Sequence, residues 1–206
     1  MDTVKRKEHW ENVFQTKDTT RVSWYQPVPE TSLKLIQELE VPKSSPIIEI
    51  GSGDSFLGDH LLARGYSAIS LLDISDKAFE IIKARLVDDS EKITFISADI
   101  TNFRSDSKYK VWHDRAVFHF LTDEYDISNY VQNASDCMES GGYMIIATFS
   151  KNGPKTCSDL NVQQYSVEEI TKRFKKDFVL VKCFSENHIT PSGSKQNFLF
   201  CIFKRK

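Results

Sequence analysis

At 206 residues the chain is long enough to bury one substantial core and short for two. Hydrophobic residues make up 40% and charged residues 27% of it, the balance of an ordinary globular protein rather than a disordered or membrane-spanning one. A net charge of −2 excludes the basic footprint that nucleic acid or an anionic bilayer selects, so neither is expected as a partner.

The first eight residues, Met-Asp-Thr-Val-Lys-Arg-Lys-Glu, lack the apolar centre of an export signal. No later stretch reaches membrane-spanning length, and a cytoplasmic protein is expected. A helix carries His9, Trp10, Val13 and Phe14, followed by a polar turn, the aromatic pair Trp24-Tyr25 and the prolines Pro27 and Pro29. A second helix is expected over 31–39, with Leu33, Ile36 and Leu39 on one side. From Pro46 onward strand 46–50, helix 56–64, strand 67–73, helix 76–87 and strand 92–97 form an unbroken βαβαβ unit. Strand 109–115, helix 124–138 and strand 142–149 continue the alternation. This pattern predicts an α/β fold, a Rossmann-like, doubly wound and mostly parallel sheet with helices on both faces and right-handed crossovers. After a helix at 167–174, two apolar runs at 177–184 and 196–203 flank a segment, 185–195, that holds Pro191, Ser192 and Gly193. Two strands joined by such a loop pair antiparallel, giving seven strands with a C-terminal hairpin.

No repeat, low-complexity tract or linker interrupts the chain. A single domain over 1–206 is expected, with 1–45 as a helical lid or substrate segment and 46–203 as the core. Cys137, Cys157, Cys183 and Cys201 lie far apart, without Cys-x-x-Cys or paired-histidine spacing. That predicts free thiols and no metal site.

The chemistry concentrates in Ile47 to Phe56, Ile-Ile-Glu-Ile-Gly-Ser-Gly-Asp-Ser-Phe. A buried strand, a glycine turn and a helix start make a ligand-binding corner, because glycines let the backbone approach closely. A dinucleotide site requires a third glycine where Phe56 stands, and a P-loop requires Gly-Lys-Ser/Thr, which is absent. A nucleoside without phosphates fits better, and S-adenosylmethionine is one. Asp73 closes the second strand about 20 residues beyond Gly53, the spacing at which a carboxylate meets both ribose hydroxyls. Ile74 follows it as an adenine contact, and Asp99 with Ile100 follows the third strand.

The Glu-x-Gly-x-Gly pattern with these acidic strand ends resembles class I S-adenosylmethionine-dependent methyltransferases, over roughly residues 46–203. The resemblance implies cofactor contacts from Glu49, Gly51, Ser52, Gly53, Ser55, Asp73, Ile74, Asp99 and Ile100, with S-adenosylhomocysteine as product and no metal. The terminal hairpin is also the family's arrangement. Asp114 and Arg115 at the end of the fourth strand are further cofactor candidates.

The stretch Trp112 to Leu121 resembles the segment after strand four in many small methyltransferases, where an arginine precedes a Leu-His-His-Leu-like turn. Arg115 and His119 match, and Phe120 replaces the second histidine. The Asn/Asp-Pro-Pro-Tyr signature of nucleic-acid amino-methylating enzymes is absent. His119 and Asp114 are the candidate general bases, with a hydrogen-bonded structural role as the alternative for His119. Arg115 fits a substrate carboxylate, the cofactor's methionine carboxylate or a pair with Asp114. Trp24 and Tyr25 form a candidate wall of the acceptor pocket, or else pack the first helix on the sheet. The loop 150–155 and His188, in the final loop, are further residues within possible reach.

The segment from His9 to Tyr25 loosely resembles the lid of thiol and thiopurine methyltransferases. Gly-Ser-Gly-Asp-Ser, with Arg64-Gly65-Tyr66 and Leu72-Asp73-Ile74-Ser75, resembles the lysine methyltransferases of elongation factor 1A and citrate synthase. Asp114-Arg115-Ala116 departs from the Asp-Lys-Gly of those enzymes. These resemblances imply methyl transfer by in-line displacement to a small molecule first and a protein lysine second. A catalytically silent cofactor-binding module is the third reading, and a nicotinamide dehydrogenase is disfavoured by Phe56.

Overall fold

A computed structural model describes residues 2–206. Helices α1 (Thr3–Thr16) and α2 (Glu30–Glu38) precede the alternating core. The core runs β1 (Ile47–Ile50), α3 (Leu57–Ala63), β2 (Ile69–Asp73), α4 (Asp76–Leu86), β3 (Ile93–Ser97), β4 (Tyr109–Arg115), α5 (Glu124–Cys137) and β5 (Met138–Phe149). Then come the short strands β6 (Thr156–Cys157) and β7 (Leu160–Asn161), helix α6 (Val167–Phe174), β8 (Phe178–Ile189) and β9 (Lys195–Arg205).

Seven strands form one sheet in the order β3-β2-β1-β4-β5-β9-β8. The first five pair in parallel, and β9 runs antiparallel between β5 and β8. β1 is flanked on both edges and covered on both faces, so all four of its residues are buried and its pattern is continuous rather than alternating. One face packs Trp112, Met144 and Ile146 against Tyr130 and Ala134 of α5 and Ile170 and Phe174 of α6. The other packs Ile47, Val111 and Ile145 against α2, α3 and α4 through Leu33, Ile36, Leu61 and Phe79. Strand order reverses between β1 and β4, and in open sheets of this type the ligand crevice lies there, beyond the carboxyl ends.

Local chemistry sets the boundaries. Ser75 caps α4 through the Ala78 amide, and Ser166 with Glu169 forms a capping box at α6. The expected final loop, 185–195, is instead mostly strand. β8 reaches Ile189, and only 190–194 turn, with Gly193 at φ +83 and Thr190 accepting its amide. The run Ser185-Glu186-Asn187-His188 reads as loop because it is polar, yet its backbone pairs with 196–199 of β9. The hairpin β6–β7 was not expected; Ser158 and Asp159 at its tip both have positive φ, the geometry of a two-residue hairpin turn. The expectation of four free thiols is corrected as well. Cys183 and Cys201 face each other across β8 and β9 and are joined by a disulfide, while Cys137 and Cys157 are free. Among the described residues no helix is long and apolar enough to cross a membrane.

Candidate functional site

The turn after β1 is built from two left-handed residues, Gly51 (φ +58) and Gly53 (φ +52). A Cβ on Gly51 would lie 2.0 Å from Val117 Cγ2, and one on Gly53 would lie 3.0 Å from Phe14 Cζ. Only glycine gives this backbone both its dihedrals and its clearance. Arg85 of α4 holds the turn from behind. It donates to the carbonyls of Asp54 (3.0 Å) and Ser55 (2.7 Å), pairs with Asp59 and stacks 4.0 Å from the Phe56 ring centroid. Phe56, the residue that breaks the dinucleotide pattern, thus serves as a platform for Arg85.

Asp73 points back at the turn. One carboxylate oxygen accepts the Gly53 amide at 2.7 Å and the other the Ser75 amide at 2.8 Å. Each oxygen keeps a lone pair for a ligand hydroxyl. Burial pushes the Asp73 carboxyl up to about 6, against the amides of Ser75, Gly53 and Ile74 that lower it. Asp99 is held differently. It accepts from Thr101 amide and hydroxyl, from Thr3 Oγ1 and, at 2.6 Å, from Arg6 Nη1. Burial raises its pKa, but the Thr101 amide and the Arg6 charge outweigh this and hold it below the ordinary value.

Helix α1 roofs this half. Arg6 bridges Asp99 and Asp126, and Glu11 accepts from Ser75 Oγ and the amides of Asp76 and Lys77, adding a second cap to α4. Trp10 meets Trp24 and Phe120 edge to face, with centroids 6.0 and 5.2 Å apart. Tyr25 meets Phe56 in the same way at 6.0 Å.

One cavity results, about 1200 Å³ including the part open to solvent. Glu49, Gly51, Ser52, Gly53, Ser55, Asp73, Ile74, Asp99, Ile100, Arg115, Trp24 and Tyr25 all line it. Burial pushes the Glu49 carboxyl up to about 8, so it is protonated near neutrality. Glu49 Oε2 and Ser52 Oγ are buried without hydrogen-bond partners. Two orphaned polar atoms, a glycine cradle and a carboxylate with free lone pairs fit a nucleoside-bearing amino acid such as S-adenosylmethionine. Among the described residues no cluster of three or more His, Cys, Asp or Glu side chains is placed to hold a metal.

The two candidate bases lie elsewhere. Asp114 faces the opposite side of β4, where it accepts from the Val117 and Phe118 amides and from Tyr130 Oη at 2.6 Å, shaping the turn that follows. His119 is fully buried, stacks on Phe149 at 4.4 Å and accepts the Phe149 amide at Nδ1. Burial pushes its pKa down to about 3. Neither residue lines the cavity. His188 lies in β8, where Nε2 meets the Ser23 carbonyl at 2.7 Å and anchors the aromatic arm. The loop 150–155 contributes no wall residue, whereas Cys157 of β6 does.

His113 was missed. It lines the cavity two residues before Arg115 on the same strand face, opposite Glu49 in register. Its Nε2 lies 2.8 Å from Ser32 Oγ and its Nδ1, without a hydrogen bond, lies 4.0 Å from Glu49 Oε1. Period-two alternation was the available signal: residues 111, 113 and 115 share one face and 112 and 114 the other.

A methyltransferase domain family matches residues 47–142. Malonyl-[acyl-carrier protein] O-methyltransferase 1 of Ilyobacter polytropus is 32% identical over 119 residues, 57% of this chain and 42% of that protein. The eEF1A lysine and N-terminal methyltransferase of Mus musculus is 28% identical over 59% of this chain and 17% of its own length. The chain therefore spans less than half of either relative. A structure solved in work on conversion of a disulfide bond into a thioacetal group during echinomycin biosynthesis superposes with a TM-score of 0.78. It is 15% identical and covers 97% of this chain and 93% of that one. N-methyltransferase NodS from Bradyrhizobium japonicum, solved with S-adenosyl-L-homocysteine, gives a TM-score of 0.70 at 15% identity, over 96% and 98% of the two chains.

Proposed function

We propose, from the premise that this chain belongs to the class I S-adenosylmethionine-dependent methyltransferase superfamily, that it is an enzyme transferring a methyl group to a small molecule. The observation that carries the reading is the convergence of the Gly51–Gly53 turn, Asp73 and the unpartnered Glu49 Oε2 on one cavity at the β1/β4 crevice. In it Asp73 would accept from both ribose hydroxyls, Ile74 and Ile100 would flank the adenine, and Gly51 to Gly53 would border the methionine portion. S-adenosylmethionine supplies, when bound, a methyl group activated on a sulfonium.

The residues of this chain would then hold the acceptor in line and keep water out. Alignment of nucleophile and methyl supplies much of the acceleration in such displacements. Trp10, Trp24 and Phe120 line the cavity and would serve that exclusion. A dedicated base is not required by this placement, and the imidazole in the wall, His113, is pushed by burial down to about 3, too weak a base to hold a proton at neutral pH. Small-molecule acceptors are favoured by the roof of α1 and the aromatic arm, which wall the cavity with Trp10, Trp24 and Tyr25. A protein side chain is the second reading, supported by the likeness to the eEF1A-directed enzyme.

Calorimetric titration with S-adenosylmethionine, S-adenosylhomocysteine and NADH tests the reading. Stoichiometric binding of both adenosyl ligands and none of NADH supports it. No adenosyl binding rejects it, and binding without turnover on any metabolite or lysate protein favours a silent cofactor-binding module.

A further inference from the structure

We infer that the methyl acceptor is an anion, a small carboxylate-bearing molecule whose negative group pairs with the guanidinium of Arg115; the inference rests on the transferase reading above. Arg115 closes β4 and turns toward the aromatic arm. Its Nη1 donates to the Trp24 carbonyl at 3.2 Å, its guanidinium lies 4.8 Å from the Phe198 ring centroid, and its Nη2 is buried with no hydrogen bond. Among the described residues no carboxylate lies within ion-pair distance of it. Two carboxyls are close enough to influence it, Glu186 and Glu49, and neither makes an ion pair with it. The Glu186 carboxylate shares the single Thr31 hydroxyl at 2.8 and 2.7 Å, and Glu49 is protonated near neutral pH. Burial lowers the Arg115 pKa only to about 10, so the charge persists.

A buried charge without a partner is unfavourable, and proteins keep one where a ligand completes the pair. Arginine is also the residue whose planar fork matches a carboxylate. The position of this arginine separates it from the ribose and adenine end of the cofactor. Asp73 ends β2 and Asp99 lies just beyond β3, both on one side of β1. Arg115 lies on the other side and leans toward Phe198 of β9 and the Trp24 arm. Trp10, Trp24 and Phe120 offer flat apolar walls beside it, suited to the body of an aromatic or branched acid. The same charge repels a lysine ammonium.

The test titrates phenylacetate, 3-phenylpropionate and indole-3-acetate, with phenylacetamide and phenethylamine as controls, into the native chain saturated with S-adenosylhomocysteine. The expected result is binding of the acids and none of the amide or amine. Arg115→Gln weakens the acids at least tenfold, Arg115→Lys weakens them less, and both leave S-adenosylhomocysteine affinity within twofold. Arg115→Lys keeps the test open if Arg115→Gln fails to fold, since it retains the charge and a donor for the Trp24 carbonyl. Loss of S-adenosylhomocysteine affinity in Arg115→Lys would assign the guanidinium to the cofactor and overturn the proposal. So would equal binding of acids and amine, or no binding of any acid. If the native chain takes no S-adenosylhomocysteine, the transferase reading fails separately. The acids are then titrated into the cofactor-free protein, where Arg115-dependent binding supports the anion site and its absence overturns it.

Discussion

Glu49→Gln should stabilise the cofactor-free protein, and by an amount that depends on pH. Glu49 is 6% exposed, its Oε2 has no hydrogen-bond partner, and burial raises its carboxyl from 4.5 to about 8. Between those two values the folded protein holds a proton that the unfolded chain releases. The Glu49 contribution to stability is therefore fully present below 4.5 and is lost as pH rises through 8. Glutamine has the same shape and cannot ionise. At about 1.4 kcal/mol per pKa unit, the variant gains about 3 kcal/mol at pH 7, about 5 kcal/mol above pH 8 and nothing below pH 4.5. For a chain of this size 3 kcal/mol is about 6–12 °C in Tm. Thermal unfolding of both proteins from pH 5 to 9 reads this directly, as a gap that widens with pH and then levels off. A gap of constant size, or a variant less stable throughout, would refute the reasoning. Either result would mean that Glu49 is ionised in the fold near neutral pH, and the argument that Arg115 lacks an anion would fall with it.

Asp73→Ala should weaken S-adenosylmethionine by about 100-fold or more in calorimetry, since two hydrogen bonds to a charged acceptor are lost at about 1.5–3 kcal/mol each. In the native protein the same affinity should fall as pH drops through about 6, because the hydroxyls need the ionised carboxylate; an affinity flat from pH 5 to 8 would remove Asp73 from the ribose site. Arg6→Ala removes the positive partner of Asp99 and Asp126, of which Asp99 keeps three hydrogen bonds, and should lower stability by about 1–3 kcal/mol in urea unfolding. His119→Ala should lower Tm by several degrees through a lost stack on Phe149 while leaving the pH profile of turnover in place; a shifted profile would restore His119 as a proton carrier. Thiol titration of the denatured, unreduced protein should count two groups, Cys137 and Cys157. Reduction should expose four and cost about 3 kcal/mol, as expected for a closed loop of this length.

The half of the cavity along β1, β2 and β3 was legible in the sequence because its residues sit at strand ends, where spacing alone locates them. Gly51, Asp73 and Asp99 follow β1, β2 and β3 as their positions in the pattern require. Arg85 was not legible. It lies in the last turn of a helix rich in charged residues and matters only because α4 returns beneath the turn. The acceptor half misled for a different reason. Resemblance drew attention to His119 and Asp114, while strand alternation places Asp114 on the far face and leaves His113 and Arg115 at the cavity. The polar end of β8 read as loop because an edge strand can be polar wherever its side chains meet solvent, and only its partner β9 reveals the pairing. The Cys183–Cys201 bond depends on that same register, which no spacing rule supplies.

The aromatic arm at 23–31 is fastened to β8, through the Ser23 carbonyl to His188 and Thr31 to Glu186. Trp10, Trp24 and Tyr25, before the matched domain at 47–142, and Cys157, after it, thus share one cavity wall with Arg115 and Phe120 from inside it. A change in either flanking segment therefore reaches the cavity wall without passing through the parallel strands.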